Sequence, residues 1–341
     1  MLRIIENVPA GLLNTTQQTI GSVLSGPTLM HLEGRRPEHL FVAALQHGNE
    51  DVGLRAVQRV LSKYSGQDLP RSMSVFFSNV EAAGANARHL PHQPDYNRVW
   101  PGGGFDTLPE AAMMREVVHR MAAKSLFGSV DLHNNMGLNP HYACVNRLDN
   151  RCLQLATLFS RTVVYFTRPR GVQSAAFASL CPSVTLECGQ PGDERGIKHA
   201  ADYLDACLHL DHLSDHPVHP HDIELFYTTA IVRVSEQASL GVGDEESDAD
   251  IVLIEDLEYL NFRELLPGTV LAVAKDGHAL EVTDETGRDV THKYIAYEEG
   301  CLRLKRLVMP SMLTVNTTAI RQDCLCYFME RLPGSDPHKS L

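Results

Sequence analysis

Short apolar runs ending in polar turns, each followed by a stretch with helical spacing, recur through the first two thirds of the chain. No other feature restricts the fold as strongly. Leu40–Leu45 reads as a buried strand, and Val52, Leu54, Val57, Val60 and Leu61 then keep the spacing of one helix face. The pattern repeats with a strand over Ser72–Asn79, a helix over Glu110–Leu126 and a strand running to His133. A helix over 146–160, a strand over Thr162–Thr167, a strand ending at Glu187 and a helix over Glu194–Leu210 continue it. Repeated strand-helix alternation predicts an α/β fold built on a mostly parallel mixed sheet with helices on both faces, and places functional groups at the carboxyl ends of the strands. Ahead of this region, residues 10–25 have the spacing of a short amphipathic helix, and Thr28–Leu32 reads as a further strand.

The texture changes after the His- and Pro-rich stretch 211–221, which reads as a linker. Beyond it strands dominate: Ile223–Val234, Ile251–Ile254, Thr269–Ala274 and Lys305–Val308, with the acidic loop Asp244–Asp250 between the first two. The expected organisation is a catalytic domain over residues 1–215, a smaller β-rich C-terminal domain over 222–332 and a flexible tail over 333–341. At 341 residues the chain can bury a sizeable core, and 43% hydrophobic with 21% charged residues is the composition of a globular protein.

A net charge of −12 with no dense basic run argues against a nucleic-acid partner. No stretch reaches the ~18 consecutive apolar residues of a membrane span, and the N-terminus lacks the apolar core of a signal peptide, so the expected location is cytoplasmic. The eight cysteines form no C-x-x-C pair, in keeping with reduced thiols.

Where the first of these strands gives way to its helix, His47 and Glu50 stand one turn apart and can converge on one cation. Imidazole and carboxylate together suit zinc, and a catalytic zinc requires a third protein ligand. His133 ends another apolar run, and Asp131, two residues earlier, is placed to accept the other ring N–H of that histidine. On its own an H-x-x-E also fits a solvated helix start.

The series His47-Gly48-Asn49-Glu50, Asp131-Leu132-His133-Asn134 and Glu187-Cys188-Gly189 resembles the succinylglutamate desuccinylase and aspartoacylase family, zinc hydrolases related to the zinc carboxypeptidases. The resemblance covers residues 28–210. It implies one zinc per chain on His47, Glu50 and His133, with Glu187 as the general base that takes a proton from water and delivers it to the leaving nitrogen. Asp95-Tyr96-Asn97-Arg98 resembles the family's Asp-Leu-Asn-Arg motif, so Asn97 and Arg98 are expected to grip a substrate carboxylate, as a planar guanidinium fork does well. Arg88 stands nearest to the family's carbonyl-polarising Arg, although farther upstream of Asn97-Arg98 than in the family. Tyr297, with Tyr294 as competitor, is the nearest match to a Tyr that relatives supply from the C-terminal domain. The family carries a further substrate-binding Arg shortly before the base, where this chain has Ala176-Phe177-Ala178, which points to a less acidic substrate than an acyl-aspartate.

The leading expectation is therefore a zinc-dependent hydrolase that cleaves an amide bond in a small carboxylate-bearing substrate such as an N-acyl amino acid. A metallocarboxypeptidase acting on a small peptide and a non-catalytic module that binds an anionic ligand are the alternatives, with a scaffolding role third. Homo-oligomerisation is left open.

Overall fold

A computed structural model describes residues 1–243 and 248–332. Most of the acidic loop and the whole of the 333–341 tail lie outside the described residues. The chain divides into two units: one comprising 1–134 and 141–224, the other 135–140 and 225–341.

In the first unit the strands are β1 (Arg3–Ile5), β2 (Thr28–Leu32), β3 (His39–Ala44), β4 (Met73–Phe77), β5 (Leu126–His133), β6 (Tyr142–Val145), β7 (Thr162–Tyr165) and β8 (Ser183–Glu187). They form a sheet in the order β1-β2-β4-β3-β5-β8-β6-β7. The central run β4-β3-β5-β8 is parallel, and antiparallel pairs β2/β4 and β6/β8 flank it. The mostly parallel α/β architecture read from the sequence is thus present. β3 has every residue buried, as a strand covered on both faces must.

The helices are α1 (Val52–Lys63), α2 (Val80–Gly84), α3 (Pro109–Ala122), α4 (Asn150–Thr157), α5 (Gln173–Phe177) and α6 (Glu194–His209). On one face of the sheet Phe41, Ala43 and Phe76 pack with Met114, Val117 and Met121 of α3 and with Phe177 of α5, the Phe41 and Phe177 rings stacking at 4.4 Å. The other face is closed by α1: a Cβ on Gly53 would come within 2.8 Å of the Ala44 side chain, so a glycine lets this helix lie flat against β3.

Two expectations are corrected. Residues 10–25 form two short 3-10 turns, Leu12–Asn14 and Ile20–Ser22, not an amphipathic helix. Gly11 at φ 88 and the Thr15/Thr16/Thr19 hydroxyls, which bond one another and accept the Thr16 and Thr19 N–H groups, take the place of a helical ladder. Lys305–Val308 is not a strand; the chain pairs one step earlier, over Cys301–Leu304.

The second unit is β-rich. β9 (Glu224–Val234), β13 (Leu280–Asp284), β16 (Met309–Ser311) and β17 (Cys326–Arg331) form antiparallel ladders. A separate sheet runs β10-β11-β12-β15-β14, from Leu240–Val242, Ile251–Leu253, Val270–Ala274, Cys301–Leu304 and Ile295–Glu298. Val232, Leu253, Leu271, Leu302 and Phe328 fill its core. Among the described residues no helix is long and apolar enough to cross a membrane.

Candidate metal centre

Three groups leave the carboxyl ends of β3 and β5 and meet in the first unit. His47 and Glu50 lie in the turn between β3 and α1, and His133 is the last residue of β5. All three are at least 95% buried, and one ligand atom from each lies within 4.8 Å of the others. His47 Nδ1 is 2.7 Å from Glu50 Oε1, and His133 Nδ1 is 2.9 Å from Glu50 Oε2. Among the described residues no other group of His, Cys, Asp and Glu is arranged in this way.

The turn owes its shape to Gly48. A Cβ there would fall 2.2 Å from the Ala82 carbonyl carbon and the Ala83 nitrogen, so only glycine lets the turn rest against the backbone of α2. The Gly48 N–H donates to the Arg88 carbonyl at 3.1 Å, which fixes the turn from its other side.

Each histidine presents Nδ1 to Glu50 and gives Nε2 to a second carboxylate. His133 Nε2 lies 3.0 Å from Asp131 Oδ2, as the two-residue spacing led us to expect. Asp131 is fully buried and also receives Gln46 Nε2 at 3.4 Å. His47 Nε2 lies 3.1 Å from Asp95 Oδ1, a contact the sequence reading did not foresee. Asp95 in turn accepts Nε and Nη2 of Arg88 on Oδ2, at 3.1 and 2.8 Å. Carboxylates behind both imidazoles fix the ring orientations and raise the basicity of the nitrogens turned inward.

The electrostatics follow from this crowding. Burial and Arg88 press the His47 pKa down, but Glu50 and Asp95 more than reverse this and leave it raised. For His133 burial again opposes the charge, and Asp131 and Glu50 hold its pKa well above the usual imidazole value. Burial would raise the Glu50 and Asp95 carboxyls, yet the cations facing each of them hold both below the ordinary range. A buried set of carboxylates thus demands positive charge. Two imidazoles and a carboxylate in this arrangement are a donor set that suits a divalent ion such as zinc.

Glu187 ends β8, next to β5, in register with His133 and only 6% exposed. Its carboxylate and that of Glu50 both bear on the Cys188 thiol, whose pKa stands well above normal through burial first and these charges second. The general-base candidate therefore lies beside the three-residue cluster.

Asn97 is 92% buried, with Nδ2 3.4 Å from His133 Nε2. Asp95 caps the short turn Tyr96–Arg98 by accepting the Asn97 N–H at 2.8 Å, and so sets Asn97 and Arg98 beside the cluster. Arg98 Nη1 donates to the Asn97 carbonyl at 2.9 Å, and its charge helps to lower the Asp95 pKa. The Arg98 carbonyl is packed against Gly103 and Gly171. In the second unit Tyr297 is 43% exposed, and its hydroxyl donates to the Ala274 and Lys275 carbonyls at 3.2 and 2.9 Å. Tyr294 is buried there, stacked on Phe328, with its hydroxyl 3.4 Å from Thr229.

No protein-family model and no curated protein matches the sequence. Solved structures do match the fold. A succinylglutamate desuccinylase from Vibrio parahaemolyticus superposes with a TM-score of 0.61 at 12% identity, covering 94% of this chain and 96% of that one. The chain has the succinylglutamate desuccinylase fold. The ectoine utilization protein EutE (DoeB) from Ruegeria pomeroyi, solved with product bound, gives a TM-score of 0.56 at 17% identity over 89% and 88% of the two chains. Murine aminoacylase 3 gives 0.51 at 14% identity over 87% and 96%. The resemblance first carried by the separated motifs of His47, His133 and Glu187 is therefore matched by the three-dimensional fold of this group.

Proposed function

We propose that this protein is a zinc-dependent amide hydrolase that releases the acyl group from an N-acyl amino acid. The observation that carries the reading is the buried meeting of His47, Glu50 and His133, with a carboxylate behind each imidazole and Glu187 on the neighbouring strand end. The names of the fold's matches, succinylglutamate desuccinylase and aminoacylase, support the same reaction class.

In this reading zinc is held by His47, Glu50 and His133; when bound, it supplies Lewis acidity that polarises a carbonyl and acidifies a water. Glu187 takes the water's proton on its carboxylate and passes it to the leaving nitrogen. Asn97 and Arg98 hold the substrate carboxylate and so orient the scissile bond. Arg88, through its pairing with Asp95, holds the His47 ring in place and adds positive charge beside the developing oxyanion. Tyr297 is assigned to the substrate on the resemblance alone. The expected substrate is small and carries a carboxylate. A cytoplasmic location fits eight cysteines that are all free.

The test is a panel of N-acyl amino acids and short peptides assayed with zinc-loaded protein, followed by Glu187→Gln. Release of the acyl group from at least one N-acyl amino acid, with kcat falling by about 10²–10⁴ in the variant, is expected. Turnover that survives Glu187→Gln unchanged rules out the mechanism, and a preference for peptides over acyl amino acids replaces deacylase by carboxypeptidase.

A further inference from the structure

Asn134 follows His133 and is 97% buried, and its backbone N–H and both polar atoms of its side chain are all committed. The backbone N–H donates to Glu50 Oε2 at 3.1 Å. The side-chain Oδ1 accepts the Val52 N–H at 3.1 Å, and Nδ2 donates to the Gly189 carbonyl at 3.0 Å. These three bonds reach three different segments: the ligand turn, the start of α1 and the loop that follows Glu187.

The second bond fills a need that α1 does not meet for itself. The residue at its N-cap, Asp51, makes no side-chain cap bond within the helix, and its Oδ1 instead accepts the Gly192 N–H at 2.9 Å. Helix N-termini leave N–H groups without an intrahelical partner, and here the partner comes from a residue 82 positions later in the chain. The third bond lengthens a ladder. The Cys188 N–H donates to the His133 carbonyl at 2.9 Å, a backbone rung just beyond the paired strands that carry His133 and Glu187, and the Asn134 amide adds a side-chain rung at Gly189.

Resting on the metal-site reading above, we infer that Asn134 is a positioning residue of this site. Its side chain clamps the start of α1 to the end of the Glu187 strand, and thereby fixes the peptide N–H that orients the Glu50 carboxylate. The primary amide does this by offering an acceptor and a donor on one rigid planar group. An aspartate in its place keeps an acceptor for Val52 but turns a second acceptor toward the Gly189 carbonyl. A leucine keeps the shape and offers neither. The consequence is a division of labour: the Val52 bond governs how firmly Glu50 is presented, and the Gly189 bond governs where Glu187 stands relative to it.

The experiment uses the full chain with Asn134→Leu and Asn134→Asp. Zinc affinity is measured by competition with a chelator, the electronic spectrum of the cobalt-substituted protein is recorded, and kcat and KM are determined separately at saturating zinc. For Asn134→Leu a zinc Kd raised about 10–100-fold and shifted cobalt bands are expected, the size typical when a group supporting a metal ligand is lost. For Asn134→Asp the expected zinc Kd rises less than in the leucine variant, while kcat falls at least about 10-fold with KM unchanged. Wild-type zinc affinity and cobalt spectrum in Asn134→Leu overturn the inference even if its Tm drops, since a merely structural residue would lower Tm alone. Should the leucine variant not fold, an unchanged kcat in Asn134→Asp overturns it equally. A wild-type protein that takes up no zinc overturns the metal-site reading and this inference together, whereas zinc binding indifferent to residue 134 removes the inference and leaves the reading standing.

Discussion

The two ends of one β-sheet each gather a pair of histidines, and their surroundings shift the two pairs in opposite directions. At the carboxyl end His47 and His133 face Glu50, with Asp95 and Asp131 behind them, and both imidazoles are raised above their usual pKa. At the amino end His31 and His39 share the Ser74 hydroxyl, their Nδ1 atoms 2.8 and 2.9 Å from its oxygen. There burial and the Lys124 charge lower both, His39 to about 4. The nearest carboxylate, Glu33, lies 3.9 Å from His39 with its own side chain largely in solvent. Histidine pairs packed into the sheet are thus common ground between the two ends, His31 being half-buried and the other three buried, and buried carboxylates are the difference. A pair that attracts positive charge can be a metal site; a pair that repels it is a piece of packed core.

The largest effect that could break this comparison comes from Glu50→Ala. Removing the carboxylate both histidines face is expected to weaken zinc binding by at least about 10³-fold and to abolish turnover, as read by metal content after dialysis. Zinc retained at one per chain would mean that the ion sits elsewhere, His31 and His39 included. Asp131→Asn sharpens the same contrast more mildly. It removes the charge behind His133 but keeps a polar partner, so zinc affinity should fall about 10–100-fold, which chelator competition can measure. An unchanged affinity would make Asp131 a structural neighbour only.

The smallest effect concerns the other end of the sheet. His39 is 4% exposed and its folded pKa of about 4 lies below its unfolded value, so the unfolded chain binds more protons between the two. Its contribution is therefore fully present above pH ~6.5 and is lost as pH falls toward ~4, a decline of about 2 kcal/mol between pH ~8 and pH ~5. Because the raised His47 and His133 shift stability in the opposite sense over this range, the decline is read as the difference between the metal-free wild type and His39→Gln, each unfolded in urea at the two pH values. An identical pH dependence in the two proteins would assign the effect to other groups.

Much of the site could be read from the sequence because its parts are local. His47 and Glu50 sit one turn apart, and Asp131 and His133 share one face of a strand, so strand periodicity alone predicts that the carboxylate can reach the ring. Asp95 could not be read in this way. It arrives from a loop with no periodicity, and its place behind His47 depends on the turn at Tyr96–Arg98 and on the Arg88 pairing, neither of which leaves a spacing in the sequence. The strand runs of the first unit were legible because burial on both faces makes them continuously apolar. The errors fell where that signal fades. Residues 10–25 carry helical spacing, but their glycines and threonines favour turns. In the second unit β10, β14 and β16 are only three or four residues long, too short for alternation to show.

Gly48 contributes no donor atom to the cluster, yet both neighbours that do, His47 and Glu50, hang from the short bend it occupies. Any larger residue at this position would have to lift the bend off Ala82 and Ala83, moving two of the three clustered groups together. The position with the least chemistry of its own thus holds a veto over whether the three side chains can meet.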